Sequence, residues 1–223
     1  MIAIASADDL DFIEDTHTYL ESGKVRVSCT QALTLAGLID FSMVPEDVLM
    51  QARDRGIGVH LCTEYIDRHG HCDPTWITEE YEPYVRAWDR FKIDSRLYIK
   101  GIEERRVAQL GMVRYGMTYD RHGFIGHAPA LIDIKTGMIS PVAGLQLAMY
   151  ESGLTGHAWL GYFRRLVVQL RRDGTYRLHD FADPADLDIA RTVLHFTHGL
   201  GDLDHHNAAI DTWARNHGVK RAA

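Results

Sequence analysis

The sequence predicts a mixed α/β domain in which helices flank a central sheet. Three observations carry that expectation: helical spacing dominates the chain up to Ser95, short strand-compatible runs between Gly-containing turns follow it, and a helix, a long hairpin and another helix then complete the order. With 223 residues and 46% apolar composition the chain can bury a substantial core. We read it as one domain, 1–223, with an amino-terminal part (1–95), a core part (96–198) and a tail (199–223) that shows no clear pattern.

In chain order, His17 to Leu20 and Lys24 to Val27 are extended runs joined through Ser22-Gly23, a β-hairpin. Ser28 or Thr30 starts a helix over Gln31 to Leu38. Pro45 opens a longer one, with Glu46 and Asp47 in the first turn, where the helix dipole favours negative charge. It continues through His60 to about Asp67, with Arg55-Gly56 as a point of interruption, and His69 to Pro74 reads as loop. From Thr78 the residues Tyr81, Tyr84, Trp88 and Phe91 follow three- and four-residue steps, a helix whose aromatic face is a core stripe.

After Ser95 the period changes. Leu97 to Val107, Arg114 to Tyr119 and Ala130 to Thr136 read as strands of a meander. A helix from Val142 to Ser152 comes next, then a hairpin of Trp159 to Leu170 and Thr175 to Phe181 turning at Arg172-Asp173-Gly174. Asp183-Pro184 caps and starts the next helix, which Leu187, Ile189, Ala190, Val193 and Leu194 continue.

Composition excludes several classes. Cys29, Cys62 and Cys72 are too few for a disulfide framework and one short of a four-cysteine cluster, so reduced thiols and no iron-sulfur cluster are expected. No apolar run reaches the roughly 18 residues of a membrane span, and Met1 to Asp9 turns acidic before a signal-type stretch develops. A cytoplasmic protein without a membrane partner is expected. The net charge of -7 argues against a protein that coats nucleic acid non-specifically. Acidic groups that hold divalent cations, however, make a formal count more negative than the surface a nucleic acid meets.

Chemistry concentrates in Leu131-Ile132-Asp133-Ile134-Lys135-Thr136, where alternation puts Asp133 and Lys135 on one face and Ile132 and Ile134 on the other. Asp120 closes the preceding strand, and a hairpin through Gly123 and Gly126 brings it towards Asp133. Converging carboxylates suit a hard cation such as Mg²⁺ or Mn²⁺, and an adjacent ammonium suits charge that develops on a phosphate. A D-x-K tripeptide alone is more often a surface salt bridge.

The order of motifs adds to this. Met117-Thr118-Tyr119-Asp120, Asp133-Ile134-Lys135-Thr136 and then Gln146-Leu147-Ala148-Met149-Tyr150 resemble the G-T-x-D, D-x-K-T and Q-x-x-x-Y series of the PD-(D/E)xK nuclease superfamily, in its RecB-like branch of CRISPR-associated and phage-type exonucleases. Met117 departs from the family glycine, although Gly116 precedes it. Upstream, Arg55-Gly56, His60 and Glu64 match an R-G-x-x-x-H-x-x-x-E helix, Glu104 with Val107 matches E-x-x-V, and Ser28 to Leu33 resembles a phage-type S-x-T-x-x-L helix.

The resemblance implies a restriction-endonuclease-like core and hydrolysis of DNA by an exonuclease acting on ends or single strands, leaving 5′-phosphate and 3′-hydroxyl groups. It implies Mg²⁺ or Mn²⁺ held by Asp120, Asp133, His60 and the Ile134 carbonyl, assisted by Glu104, with Glu103 competing one residue away. Lys135 would position the water and Glu64 would orient His60. Gln146 and Tyr150 would contact the scissile strand or hold the lysine. On the following hairpin Arg164 and Arg165, with Arg171, Arg172 and Arg177, are candidates for the DNA backbone, against the plainer reading of a solvated charged hairpin.

Other groups read as decoys. His60, Cys62, His69, His71 and Cys72 lack the paired spacing of a structural zinc site, and His195, His198, His205 and His206 read as solvated helix and tail residues. A catalytically silent nucleic-acid-binding or assembly protein is the rival class. The intact Asp, Asp and Lys set counts against it, because binding alone does not require that trio.

Overall fold

Short extended runs that precede the first helix in the sequence pair with one another. In the computed structural model, which describes residues 10–14, 16–157 and 159–222, β1 (Leu10–Ile13), β2 (Thr18–Glu21) and β3 (Lys24–Arg26) make an antiparallel three-stranded sheet. Ser22 and Gly23, at φ of 48° and 74°, turn the predicted hairpin in the left-handed region. The acidic stretch Met1 to Asp9 lies outside the described residues.

Ser28 starts α1 (Cys29–Leu35) with a capping box, its side chain accepting from the Gln31 N–H while the Gln31 side chain accepts from the Ser28 N–H. α2 (Glu46–His69) is uninterrupted, contrary to the expected break at Arg55-Gly56. Gly58 is instead needed for packing, since a Cβ there would lie 2.4 Å from the Tyr81 ring. A 3₁₀ turn at Pro74–Trp76 leads to α3 (Glu82–Ser95), which buries Tyr84, Trp88 and Phe91 as the aromatic spacing predicts.

The main sheet has the order β4 (Leu97–Leu110), β5 (Val113–Ile125), β6 (Ala128–Lys135), β7 (Arg164–Leu170) and β8 (Tyr176–Asp180). Its pairs are antiparallel except β6 with β7, which is parallel and therefore needs a crossover. α4 (Val142–Thr155) supplies it. Strand alternation then sorts the layers. Ala130, Ile132 and Ile134 pack with Val59 of α2 and the aromatic stripe of α3, whereas Leu131 packs on the other face with α1, α4 and α5 (Asp186–Thr197). The chain is thus a mixed α/β fold with a five-stranded mixed sheet covered by helices on both faces.

The segment read as a patternless tail contains α6 (Leu203–Asn216), capped by the Asp202 side chain and burying Ile210, Trp213 and Ala214 against the core. Arg221 returns to α1, donating to the Ala36 carbonyl and pairing with Asp211 at 2.8 Å. Among the described residues, no helix is long and apolar enough to cross a membrane.

Candidate metal centre

The site forms where β5 and β6 stop pairing. Their ladder runs from Ile125 with Ala128 to Arg121 with Ile132. Beyond it the Asp120 carboxylate accepts the Ile134 N–H at 2.6 Å, and His60 of α2 reaches the Ile134 carbonyl with Nε2 at 2.9 Å. Two side chains thus occupy the main-chain groups that a continuing strand would have paired. His60 Nε2 is also 3.7 Å from Asp120 Oδ2, and its Nδ1 is 3.3 Å from Glu103 Oε1.

Glu103, not Glu104, faces this point. Ile102 and Glu104 pair with Arg121 and Tyr119, and between them Glu103 adopts φ of 47°, which directs its side chain towards His60. Glu104 turns away and pairs with Arg106 at 2.8 Å. The expectation for Glu104 is corrected on that ground: strand alternation admits one of two adjacent glutamates, and the local backbone selects the other. Among the described residues, His60, Glu103 and Asp120 are the group of three His, Cys, Asp or Glu whose ligand atoms lie within 4.8 Å of one another. The alternative group of Cys62, Cys72 and the histidines between them does not assemble in this way.

Asp133 and Lys135 line the same pocket as Glu103, Asp120, Gln146 and Tyr150, a cavity of about 190 Å³. The Lys135 ammonium lies 2.8 Å from each Asp133 oxygen. Gln146 donates to the Tyr150 hydroxyl at 2.6 Å, so this helical pair acts as one unit on the pocket wall. Gly116 serves the site at the position before Met117. A Cβ there would sit 2.3 Å from the Tyr19 ring, and the bare backbone lets Tyr19 close the pocket from the amino-terminal sheet.

Electrostatics follows burial. Burial pushes the Asp120 and Asp133 carboxyls above their ordinary range, against the pull of His60 and Lys135 respectively. Burial opposes the charge on His60, but Asp120 and Glu103 outweigh it and raise its pKa to about 9. Burial likewise opposes the Lys135 ammonium, and Asp133 with Asp120 raise its pKa nonetheless. Imidazole nitrogen, carboxylate and main-chain carbonyl oxygen form a donor set for a hard or borderline divalent cation, and neutralising two buried carboxyls is what such a cation does. The residues present fit a divalent cation of that kind.

A fully buried guanidinium lies behind these groups. Arg121 donates through Nε to Asp67 at 2.8 Å, and through Nη1 to Glu103 at 2.8 Å and to the Asp120 carbonyl at 2.7 Å. Asp67 also accepts from Lys92 at 2.7 Å and from the Trp88 indole at 3.0 Å. Sequence reading passes over Arg121 and Asp67, although an arginine beside Asp120 in a buried strand is a visible signal.

Three further expectations are corrected. Glu64 pairs with Arg68 at 2.8 Å, one turn along α2, and the carboxylate that orients His60 is Glu103. Arg165 is buried and held by Asp186 at 3.1 Å and Glu151 at 3.5 Å, so it is a core ion pair with no surface to offer. Arg164 pairs with Asp180 and stands opposite Ala130, at the end of β6 away from Lys135. β7, which carries both arginines, runs parallel to β6, so its first residues lie at the end of the sheet away from Lys135.

No family model matches the chain, and no curated protein matches it. Among solved structures, one described as "Crystal structure of SSO0001" is 13% identical and aligns over 65% of this chain and 75% of that one, with a TM-score of 0.35.

Proposed function

We propose that the chain is a Mg²⁺- or Mn²⁺-dependent nuclease with a restriction-endonuclease-like core, hydrolysing DNA phosphodiester bonds as an exonuclease on ends or single strands and leaving 5′-phosphate and 3′-hydroxyl groups. One observation supports this above the others. Buried Asp120 and Asp133 share a pocket with Lys135, while His60, Glu103 and the Ile134 carbonyl converge on the same edge. Burial opposes the charge on both carboxyls, a cost that a bound cation would offset.

His60, Asp120, Glu103 and the Ile134 carbonyl would hold the cation, with Asp133 joining as Lys135 yields one of its oxygens. The chemistry a divalent cation would supply there is withdrawal of charge from a phosphoryl oxygen and a lowered pKa for bound water. Lys135, kept charged by Asp133 and Asp120, orients the attacking water and offsets charge developing on the phosphoryl oxygens. Gln146 and Tyr150, joined by their hydrogen bond, face the strand from α4.

The test is cleavage of end-labelled single- and double-stranded DNA with Mg²⁺ or Mn²⁺. We expect Asp133→Ala and Lys135→Ala each to lose at least about 100-fold in rate, the scale on which a transition-state charge partner acts. Equal cleavage by all three proteins overturns the mechanism. No cleavage by the wild type on any substrate favours a silent nucleic-acid-binding protein instead.

A further inference from the structure

Glu103 is held in place against its backbone preference. Of the described non-glycine residues with positive φ, His17 and Ser22 lie in turns and Arg96 ends α3, whereas Glu103, at 47°, lies inside β4. A left-handed residue of this kind is strained and persists only where its surroundings enforce it. The enforcing contact is Arg121, whose Nη1 bonds both the Glu103 carboxylate and the Asp120 carbonyl, tying one end of the site to the other. Arg121 is itself fixed by Asp67, which Lys92 and Trp88 anchor to α3.

We propose that Arg121, seated on Asp67, is a positioning residue that sets the cation affinity of the site by holding the Glu103 carboxylate against His60. The inference rests on the metal-dependent reading above. It requires a guanidinium. Nε and Nη1 donate in different directions to Asp67, Glu103 and the Asp120 carbonyl, and the single ammonium of a lysine cannot reproduce that fork. The fold does not rest on Arg121 alone, because Asp67 retains Lys92 and Trp88, and Glu103 is exposed enough to be solvated without its partner.

The experiment is Mn²⁺ titration of the purified full chain, reading free Mn²⁺ by electron paramagnetic resonance, for the wild type, Arg121→Lys, Glu103→Gln and the double variant. Circular dichroism and thermal melting accompany each titration. Arg121→Lys is expected to fold and to bind Mn²⁺ at least about tenfold more weakly, as loss of a group that orients a ligand does. The double variant is expected to bind no more weakly than Glu103→Gln, because Arg121 acts through Glu103. A merely structural arginine would lower the melting temperature and leave the affinity of the folded protein unchanged.

Wild-type affinity in Arg121→Lys, or losses that add in the double variant, overturn the proposal while leaving the metal reading intact. Absence of Mn²⁺ binding by the wild type overturns both. If Arg121→Lys does not fold, Asp67→Asn, which keeps the guanidinium but removes the charge that seats it, is expected to weaken Mn²⁺ binding in the same direction. No change there overturns the proposal.

Discussion

His60 donates from both ring nitrogens, to Glu103 and to the Ile134 carbonyl, which suits the protonated imidazole. Its pKa rises from 6.5 to about 9, so the folded metal-free protein holds this proton more tightly than the unfolded chain does. The resulting stability is fully present below pH 6.5 and is lost as pH climbs through about 9. Urea denaturation of metal-free protein across that window is expected to show falling stability, and His60→Gln to flatten the slope. A cation must displace the same proton, so Mn²⁺ affinity should rise over the same range. An identical slope in His60→Gln would assign the pH dependence to other groups. Asp120, Asp133, Lys135 and His60 were legible in the sequence because motif order and alternation mark them. The choice of Glu103 over its competitor Glu104 was not, because it depends on a backbone torsion that adjacent glutamates do not disclose, and Arg121 was not, because its partners lie 18 and 54 positions away.

α4 carries Gln146 and Tyr150 on a helix that is buried along most of its length. Gly153 near its end lies tight against the sheet, where a Cβ would meet Met117 Sδ at 2.5 Å and Ala108 Cβ at 2.8 Å. In an exposed helix Gly→Ala stabilises by about 1 kcal/mol, whereas overpacking a tight core costs about 1–3 kcal/mol. The Ala108 carbon cannot swing aside, so we expect the second effect to win. Gly153→Ala should lower the denaturation midpoint and, on the proposed nuclease reading, reduce cleavage by moving Tyr150, and a stabilised protein would overturn that account. The helix was legible from its apolar run. β1 was not, because four residues are too few to establish a period, and α6 was not, because its buried Ile210, Trp213 and Ala214 are spaced among polar neighbours that give little sign of a face.

The last described residues close the molecule on itself. Arg221 joins α6 to the end of α1 through Asp211, Asn207 and the Ala36 carbonyl, and the Ala222 N–H donates to the Gly37 carbonyl at 2.8 Å. Arg221→Ala is expected to cost about 1–3 kcal/mol, the scale of charge-assisted hydrogen bonds, in equilibrium urea unfolding. A loss below about 0.5 kcal/mol, typical of uninvolved surface positions, would show that this contact does not hold the ends together. Closures between residues separated by 185 positions leave no local pattern to read. The same separation of chain positions gives the candidate metal centre a mechanical meaning. His60 arrives from the helix layer and Ile134 from the sheet, 74 residues apart, so a cation gripping both would act as a reversible cross-link. Unlike a covalent staple it would stabilise the chain only by binding the folded form, and the two layers would come apart only after the ion had been released.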